Sequence, residues 1–366
     1  MKTYLMHNTE KLLKKIDPQS ENYNKIKKNS YIFINKKYKS KEVKIIPVKF
    51  PQEIKILPET IGLMVGEGYF GIRSFTFANS NEVAIDDVID FLKQFNLPIK
   101  IYLEVSTKNI PKNFEEKSKK FWENHLKTKI KRVRVRREFN NITKYGTIHL
   151  TVNNTILAKI LNKIIGISKP KIEKSKKLSI DYLKGIIAAE GNINIQKRTK
   201  CVYMIRISSN KIEERNHYKK CLKSAGLNIY CKDMPNVSKK EAKEKGWKTT
   251  KGRAGAVIIS KWENFIKVFQ LELLNLNKDK KDKFAKYFVN NKFTKQFISF
   301  NYFLGKEFDM KSAGEHFNFV GRNLDRILTL QKQGYISKRK RNNINKYKLT
   351  KKYILLYKKL TKNKII

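Results

Sequence analysis

Two segments of this chain repeat one another: Ile61-Gly62-Leu63-Met64-Val65-Gly66-Glu67-Gly68 and Lys184-Gly185-Ile186-Ile187-Ala188-Ala189-Glu190-Gly191. Each is an apolar run that ends in one carboxylate followed by glycine. Gly62 and Gly66, and likewise Gly185 and Ala189, are four residues apart, which puts each small pair on one face of a helix. An interior glycine costs a helix about 0.5–1 kcal/mol relative to alanine, so a helix that keeps two is expected to lie backbone-close against a partner. The simplest partner is the other copy. Packed face to face, the two helices bring Glu67 and Glu190 to the same end of one seam, and the glycine after each acid is expected to cap its helix. Paired carboxylates repel and lose hydration; they persist where divalent cations or protons neutralise them.

The repetition extends beyond the helices. Phe91-Leu92 corresponds to Cys221-Leu222, Leu97 to Leu227 and Ile99 to Ile229, all at an offset of 130 residues. The two acids are 123 apart, so the second copy carries seven extra residues in the hairpin around 196–202. A unit of this length is a duplicated domain, not a solenoid repeat. Both copies read as helix, hairpin, helix, strand, insertion, strand, helix, which makes the fold class α+β. The first helix starts with proline, at Pro58, and its counterpart is read as N-capped by Ser179 with Asp181 in the first turn. Further helices are expected at 82–95, 155–165, 212–225 and 262–274, hairpins at 69–78 and 192–208, and strands at 99–105, 147–152, 227–232 and 254–259. The expected organisation is a basic N-terminal extension (1–57) with a helix at 11–16 and strands at 30–34 and 43–48, repeat halves at 58–168 and 169–276, a linker helix (277–300) and a C-terminal domain (301–366).

In Lys131-Arg132-Val133-Arg134-Val135-Arg136-Arg137 arginine and valine alternate, so a strand would present Arg132, Arg134 and Arg136 on one face and bury the other. Guanidinium forks suit guanine edges and phosphates. A weaker version places Met204, Arg206 and Ser208 opposite Tyr203, Ile205 and Ile207. Arg73, Gln196, Arg198 and Arg253 are further candidates for nucleic-acid contact. The formal charge of +49, from 81 basic and 32 acidic residues, makes a polyanion the expected partner. Part of that excess follows from a Lys-, Asn- and Ile-rich composition, so patterned arginines weigh more than the total.

Segment 311–317 reads as a short helix, 318–320 as a turn, and 322–333 as a helix carrying Arg322 and Arg326, capped by Gly334. Two strands, 335–337 and 347–350, then flank a basic tip, Lys338-Arg339-Lys340-Arg341. This order resembles a winged helix-turn-helix. Residues 301–366 hold 17 basic and 4 acidic side chains, in keeping with a DNA-facing domain. No apolar run approaches the roughly 18 residues that span a bilayer, and 1–8 carry no signal-peptide core, so an intracellular protein is expected, cytoplasmic or organellar, with no membrane partner. Cys201, Cys221 and Cys231 lack metal-binding or paired spacing, which leaves carboxylates and water for any metal and favours Mg²⁺ or Mn²⁺.

The doubled motif with the elements that follow it, over residues 58–276, resembles the LAGLIDADG homing endonucleases in their single-chain, two-motif form. The resemblance implies two motif helices on a pseudo-twofold axis, a saddle-shaped sheet from each half in the DNA major groove, and cleavage of both strands by a monomer at a long, asymmetric double-stranded site, as in intron homing. It implies that Glu67 and Glu190 hold the metal, aided by the carbonyls of Gly66 and Ala189. A basic residue after the last strand of each half orders the attacking water in that family. Lys261 matches in the second half, whereas the first half has Asn154, a departure that bears on whether both strands are cut. Glutamate at both motif positions is a second departure, from the family's more usual aspartate. The alternative reading is a nuclease-derived transcriptional regulator, or a maturase acting on structured RNA.

Overall fold

The computed structural model of the chain describes residues 3–16, 23–28, 31–36, 48–108, 113–140, 143–233, 255–317, 324–341 and 343–362. The chain divides into two compact units, Met1–Asn192 with Ile205–Lys280, and Ile193–Met204 with Lys281–Ile366.

The first unit opens with β1 (Leu5–Asn8), α1 (Thr9–Ile16), β2 (Tyr23–Lys28), β3 (Tyr31–Lys36), β4 (Val48–Pro51) and β5 (Glu53–Ile56). Strand β1 pairs with β5, while β2, β3 and β4 form a separate small sheet. Leu12 and Leu13 of α1 are buried, and His7 on β1 is hydrogen-bonded to Ser168 at 3.1 Å. The expected strand at 43–48 falls outside the described residues except at its last position.

The first half follows as α2 (Pro58–Glu67), β6 (Gly68–Phe70), β7 (Phe75–Asn79), α3 (Glu82–Leu92), β8 (Lys100–Lys108), α4 (Phe114–Leu126), β9 (Val133–Asn140), β10 (Thr147–Val152) and α5 (Thr155–Lys174). The second half is α6 (Lys176–Glu190), β11 (Gly191–Gln196), β12 (Cys201–Ser209), α7 (Ile212–Ser224), β13 (Ile229–Asp233), β14 (Gly255–Ile259) and α8 (Trp262–Gln270). Strand order is β6-β7-β10-β8-β9 in one sheet and β11-β12-β14-β13 in the other, so the same arrangement occurs twice, with α4 and β9 added in the insertion of the first half. Strand β9 runs parallel to β8; the other pairings of that sheet are antiparallel. Alternation decides which face is buried: Phe75, Phe77, Leu103, Val105, Ile148 and Leu150 all point into the core.

Three expectations within the two halves need correction. Helix α5 does not stop at 165 but continues to Lys174 with Pro170 inside it. Gly166 and Pro170 both lie on its exposed side, so the Gly166 carbonyl, left without its usual donor, faces water. The junction between the halves is therefore Ser175, which caps α6 by accepting from the Leu178 amide at 3.4 Å. Ser179, read as that cap, is buried one turn inside and donates to the Ile172 carbonyl at 2.7 Å. Gly68 and Gly191 cap their helices as expected, their amides donating to the Met64 and Ile187 carbonyls, and at φ −87° and −70° they begin β6 and β11 directly. A Cβ there would press on the preceding turn, 3.1 Å from the Met64 carbonyl carbon and 2.8 Å from Ile187 Cγ2. Finally Tyr203, assigned to a buried face, is exposed, although Ile205 and Ile207 on either side of Arg206 are buried.

The second unit contains α9 (Lys278–Phe288), which starts three residues before it, then α10 (Lys292–Ser299), β15 (Glu307–Phe308), α11 (Met310–Phe317), α12 (Leu324–Lys332), β16 (Ile336–Arg341), β17 (Ile344–Leu349) and α13 (Lys351–Lys362). The sheet order is β15-β17-β16. The Phe297 ring packs tilted against Tyr353, whose hydroxyl donates to the Phe297 carbonyl at 2.7 Å, and this contact ties α13 to α10. Residues Lys338 to Arg341 do not form a tip: they belong to β16, paired with β17 from Lys338↔Tyr347 to Arg341↔Ile344.

Candidate metal and nucleic-acid site

Helices α2 and α6 meet backbone to backbone. A Cβ built on Gly62 would lie 2.8 Å from the Ile186 amide nitrogen, and one on Gly185 would lie 2.8 Å from the Leu63 amide nitrogen. One on Gly66 would lie 2.5 Å from the Ala189 Cβ and 3.2 Å from Glu190 Cγ. The small residues read from the sequence are thus the crossing surface itself, and they fix the C-terminal ends of both helices beside one another.

Both acids are raised above the ordinary carboxylate range. Burial pushes Glu190 up to about 7, and the neighbouring charge of Glu67 adds to the push while Lys280 opposes it. Burial raises the Glu67 carboxyl as well, again against the pull of Lys280. Among the described residues no group of three or more histidine, cysteine or acidic side chains is gathered for a metal. Two carboxylates with main-chain oxygens beside them are a chemistry that would suit a hard divalent cation.

Lys280 was not legible as a site residue. Its Nζ donates to the carbonyls of Ile187 at 3.0 Å, Ala188 at 2.6 Å and Ala189 at 3.0 Å, the last turn of α6. The Ala189 carbonyl, expected at the metal, thus already accepts an ammonium. Burial brings Lys280 down to about 8 in spite of the attraction of both glutamates. The residues expected to order water sit at equivalent helix starts but behave differently. Asn154 caps α5, its Oδ1 accepting from the Leu157 amide at 2.8 Å. Lys261 precedes α8 with no capping bond, exposed, at φ +73°, a backbone conformation that strains a side chain with a Cβ.

The solvent face of the first sheet carries the patterned arginines, and an acid stands among them. Arg136 Nε is 2.9 Å from Glu104 Oε1, Arg134 is 3.7 Å from Oε2, and His149 Nε2 is 3.9 Å from Oε2. Arg132 lies just before β9, its guanidinium 5.8 Å above the Tyr102 ring, and Tyr102 stacks on His149 at 4.3 Å. An open groove of about 630 Å³ beside them is lined by Lys100, Tyr102, Lys129, Lys131 and Arg132. Arg73 is exposed in the β6–β7 turn, and Arg206 is half-buried on β12 opposite Ile258.

In the second unit Gln196 and Arg198 are exposed at the hairpin tip, with Gln196 Oε1 accepting from Thr199 at 2.9 Å. Lys338, Lys340 and Arg341 are exposed on β16, and Arg339 pairs with Glu307. Arg326 lies on α12, its side chain outside the described set; Arg253 and Arg322 lie outside the described residues altogether.

A second cluster has the look of a nucleophile set without its reactivity. Cys221 Sγ is 3.8 Å from His217 Nε2, and His217 Nδ1 is 2.8 Å from Glu173. Cys221 is fully enclosed and its burial pushes the thiol up to about 12, so these groups bind α5 to α7 as core.

No family model and no curated protein matches the chain. Among solved structures, full-length DUF199/WhiA from Thermatoga maritima is similar at a TM-score of 0.37 and 12% identity, over 75% of this chain and 70% of that one. The homing endonuclease I-DmoI is similar in its mesophilic variants at TM-score 0.35 and 13% identity, over 60% of this chain and 96% of that one. I-DmoI in complex with DNA and Mn gives 0.34 and 14%, over 59% and 94%. Similarity at this level leaves the functional reading to the chain's own residues. No helix among the described residues is long and apolar enough to cross a membrane.

Proposed function

We propose that the chain is a divalent-metal-dependent, site-specific DNA endonuclease of the LAGLIDADG type, acting as a monomer on double-stranded DNA with Mg²⁺ or Mn²⁺, and that its C-terminal unit is a winged-helix DNA reader. The observation that carries this reading is the glycine-lined crossing of α2 and α6, which sets two mutually repelling carboxylates side by side. Glu67 and Glu190 would hold the cation, with the Gly66 carbonyl as a further oxygen. When bound there, a divalent ion supplies charge to the scissile phosphate and a lowered pKa to the attacking water. The chain's own residues do the rest: Lys261, held in a strained backbone, donates towards the water network, and the arginine face of the first sheet with the lysine-lined groove beside it holds phosphates and base edges. The Asn154 side chain is committed to capping α5, so the two halves present different chemistry to the two strands.

Incubation of a supercoiled plasmid library with the purified chain and Mg²⁺ tests this. Linear product at one long site, lost in Glu67→Gln and in Glu190→Gln, is expected; nicked circles alone would assign cutting to one strand. Absence of any cut in the wild type, with unchanged DNA binding in both variants, would overturn the nuclease reading in favour of a nuclease-derived regulator, a reading that the ammonium seated on the last turn of α6 also fits.

A further inference from the structure

Lys280 lies in the first turn of α9, and its place is built from both directions. Asn277 Oδ1 accepts the Lys280 amide at 3.0 Å, and Asn277 Nδ2 reaches the Ala188 carbonyl at 3.4 Å, so the turn that carries the lysine is itself pinned to the end of α6. The ammonium has three N–H groups and three carbonyl acceptors, those of Ile187, Ala188 and Ala189. These carbonyls are the negative end of the α6 dipole, and the charge of the lysine acts on Glu67 and Glu190 together. A lysine that only capped a helix would have no need of a half-buried place beside two acids.

We propose that the Lys280 ammonium is a tethered counter-ion of the Glu67–Glu190 pair, occupying the charge environment that a divalent cation needs, so that metal binding requires this side chain to withdraw from the α6 carbonyls. The proposal rests on the reading of the two glutamates as metal-holding. Its physical basis is competition: one positive charge held by the protein already offsets part of the repulsion, and a divalent ion placed beside it meets like charge in a site of reduced dielectric. With the lysine withdrawn, the Ala189 carbonyl becomes available as an oxygen donor.

The test is Mn²⁺ titration of the full chain by calorimetry, together with melting in EDTA, for wild type, Glu67→Gln, Lys280→Met, Lys280→Arg and Lys280→Met combined with Glu190→Gln. The methionine variant is expected to bind Mn²⁺ about tenfold or more tightly than wild type, and the arginine variant to resemble wild type. In EDTA the methionine variant should melt lower than wild type, and the added Glu190→Gln should restore much of that loss, because the uncompensated acid is gone. Unchanged or weaker Mn²⁺ binding in the methionine variant would overturn the proposal, as would a melting loss that Glu190→Gln leaves untouched, the result for a simple helix cap. If neither wild type nor the methionine variant binds Mn²⁺, the metal-holding role of the glutamates falls and the competition falls with it. Binding in wild type that is lost in Glu67→Gln, without a gain in Lys280→Met, would sink only the proposal.

Discussion

Glu190 holds its proton up to about 7, where an ordinary glutamate loses it near 4.5. Between these values the folded chain binds more protons than the unfolded one, so stability from this group is fully present below about 4.5 and is lost as pH rises towards 7. In EDTA the protein should therefore become less stable over that window by about 2 kcal/mol after allowance for solvent screening, and Glu190→Gln should remove the slope. Melting curves at fixed ionic strength measure both. The opposite trend, stability gained across the same window, would mean that Glu190 is stabilised as its anion. The residue scale also shows where sequence reading stops. Glu67 and Glu190 were legible because each ends a patterned apolar run; Lys280 was not, because one lysine among 81 basic residues carries no pattern and its target is main-chain oxygen. Glu104 was hidden in the same way, as a single acid in a strand whose arginine neighbours come from another strand.

At the scale of elements, the helix crossing makes the sharpest demand. Gly62→Ala would place a methyl carbon 3.1 Å from the Gly185 Cα and nearer still to the Ile186 amide. Backbone cannot give way as a flexible side chain would, so a loss of about 2–3 kcal/mol is expected in urea unfolding. A cost near that of an exposed Gly→Ala change would show that the helices do not touch there. Most of the element order was readable: the periods of α2, α3, α7 and β10 fall within a few residues of the observed bounds. The misreadings share a cause, which is that local signals were given more weight than packing. The helix expected to end at 165 runs on through Pro170, which on the wet side of α5 costs one hydrogen bond that water replaces. Ser179 reads as a cap because acid and apolar residues follow it, whereas Ser175 opens onto two lysines whose helical role is set by the neighbouring half. The basic run 338–341 reads as a loop by charge, yet pairing with β17 makes it a strand.

At the scale of the whole molecule the excess positive charge is not one surface. Arg134, Arg136 and Arg339 are held by acids, while Lys338, Lys340 and Arg341, in the exposed edge of the β15-β17-β16 sheet, have no carboxylate partner among the described residues. Replacing those three with alanine should weaken DNA binding for all sequences alike and lower the slope of log affinity against log salt by about 3, as measured by fluorescence anisotropy at several salt concentrations. No change in slope would place the nucleic-acid contact of the C-terminal unit elsewhere. The crossing of α2 and α6 has one more effect. Because the contact is made by main chain, neither rod has room to slide or roll past the other, and the separation of the two helix ends that carry the acids is set by steric exclusion. For a cation held there as proposed, the gap between the two helix ends would act as a fixed gauge, so that selection by size would lie in the close approach of Gly62 and Gly185 as much as in the two acids.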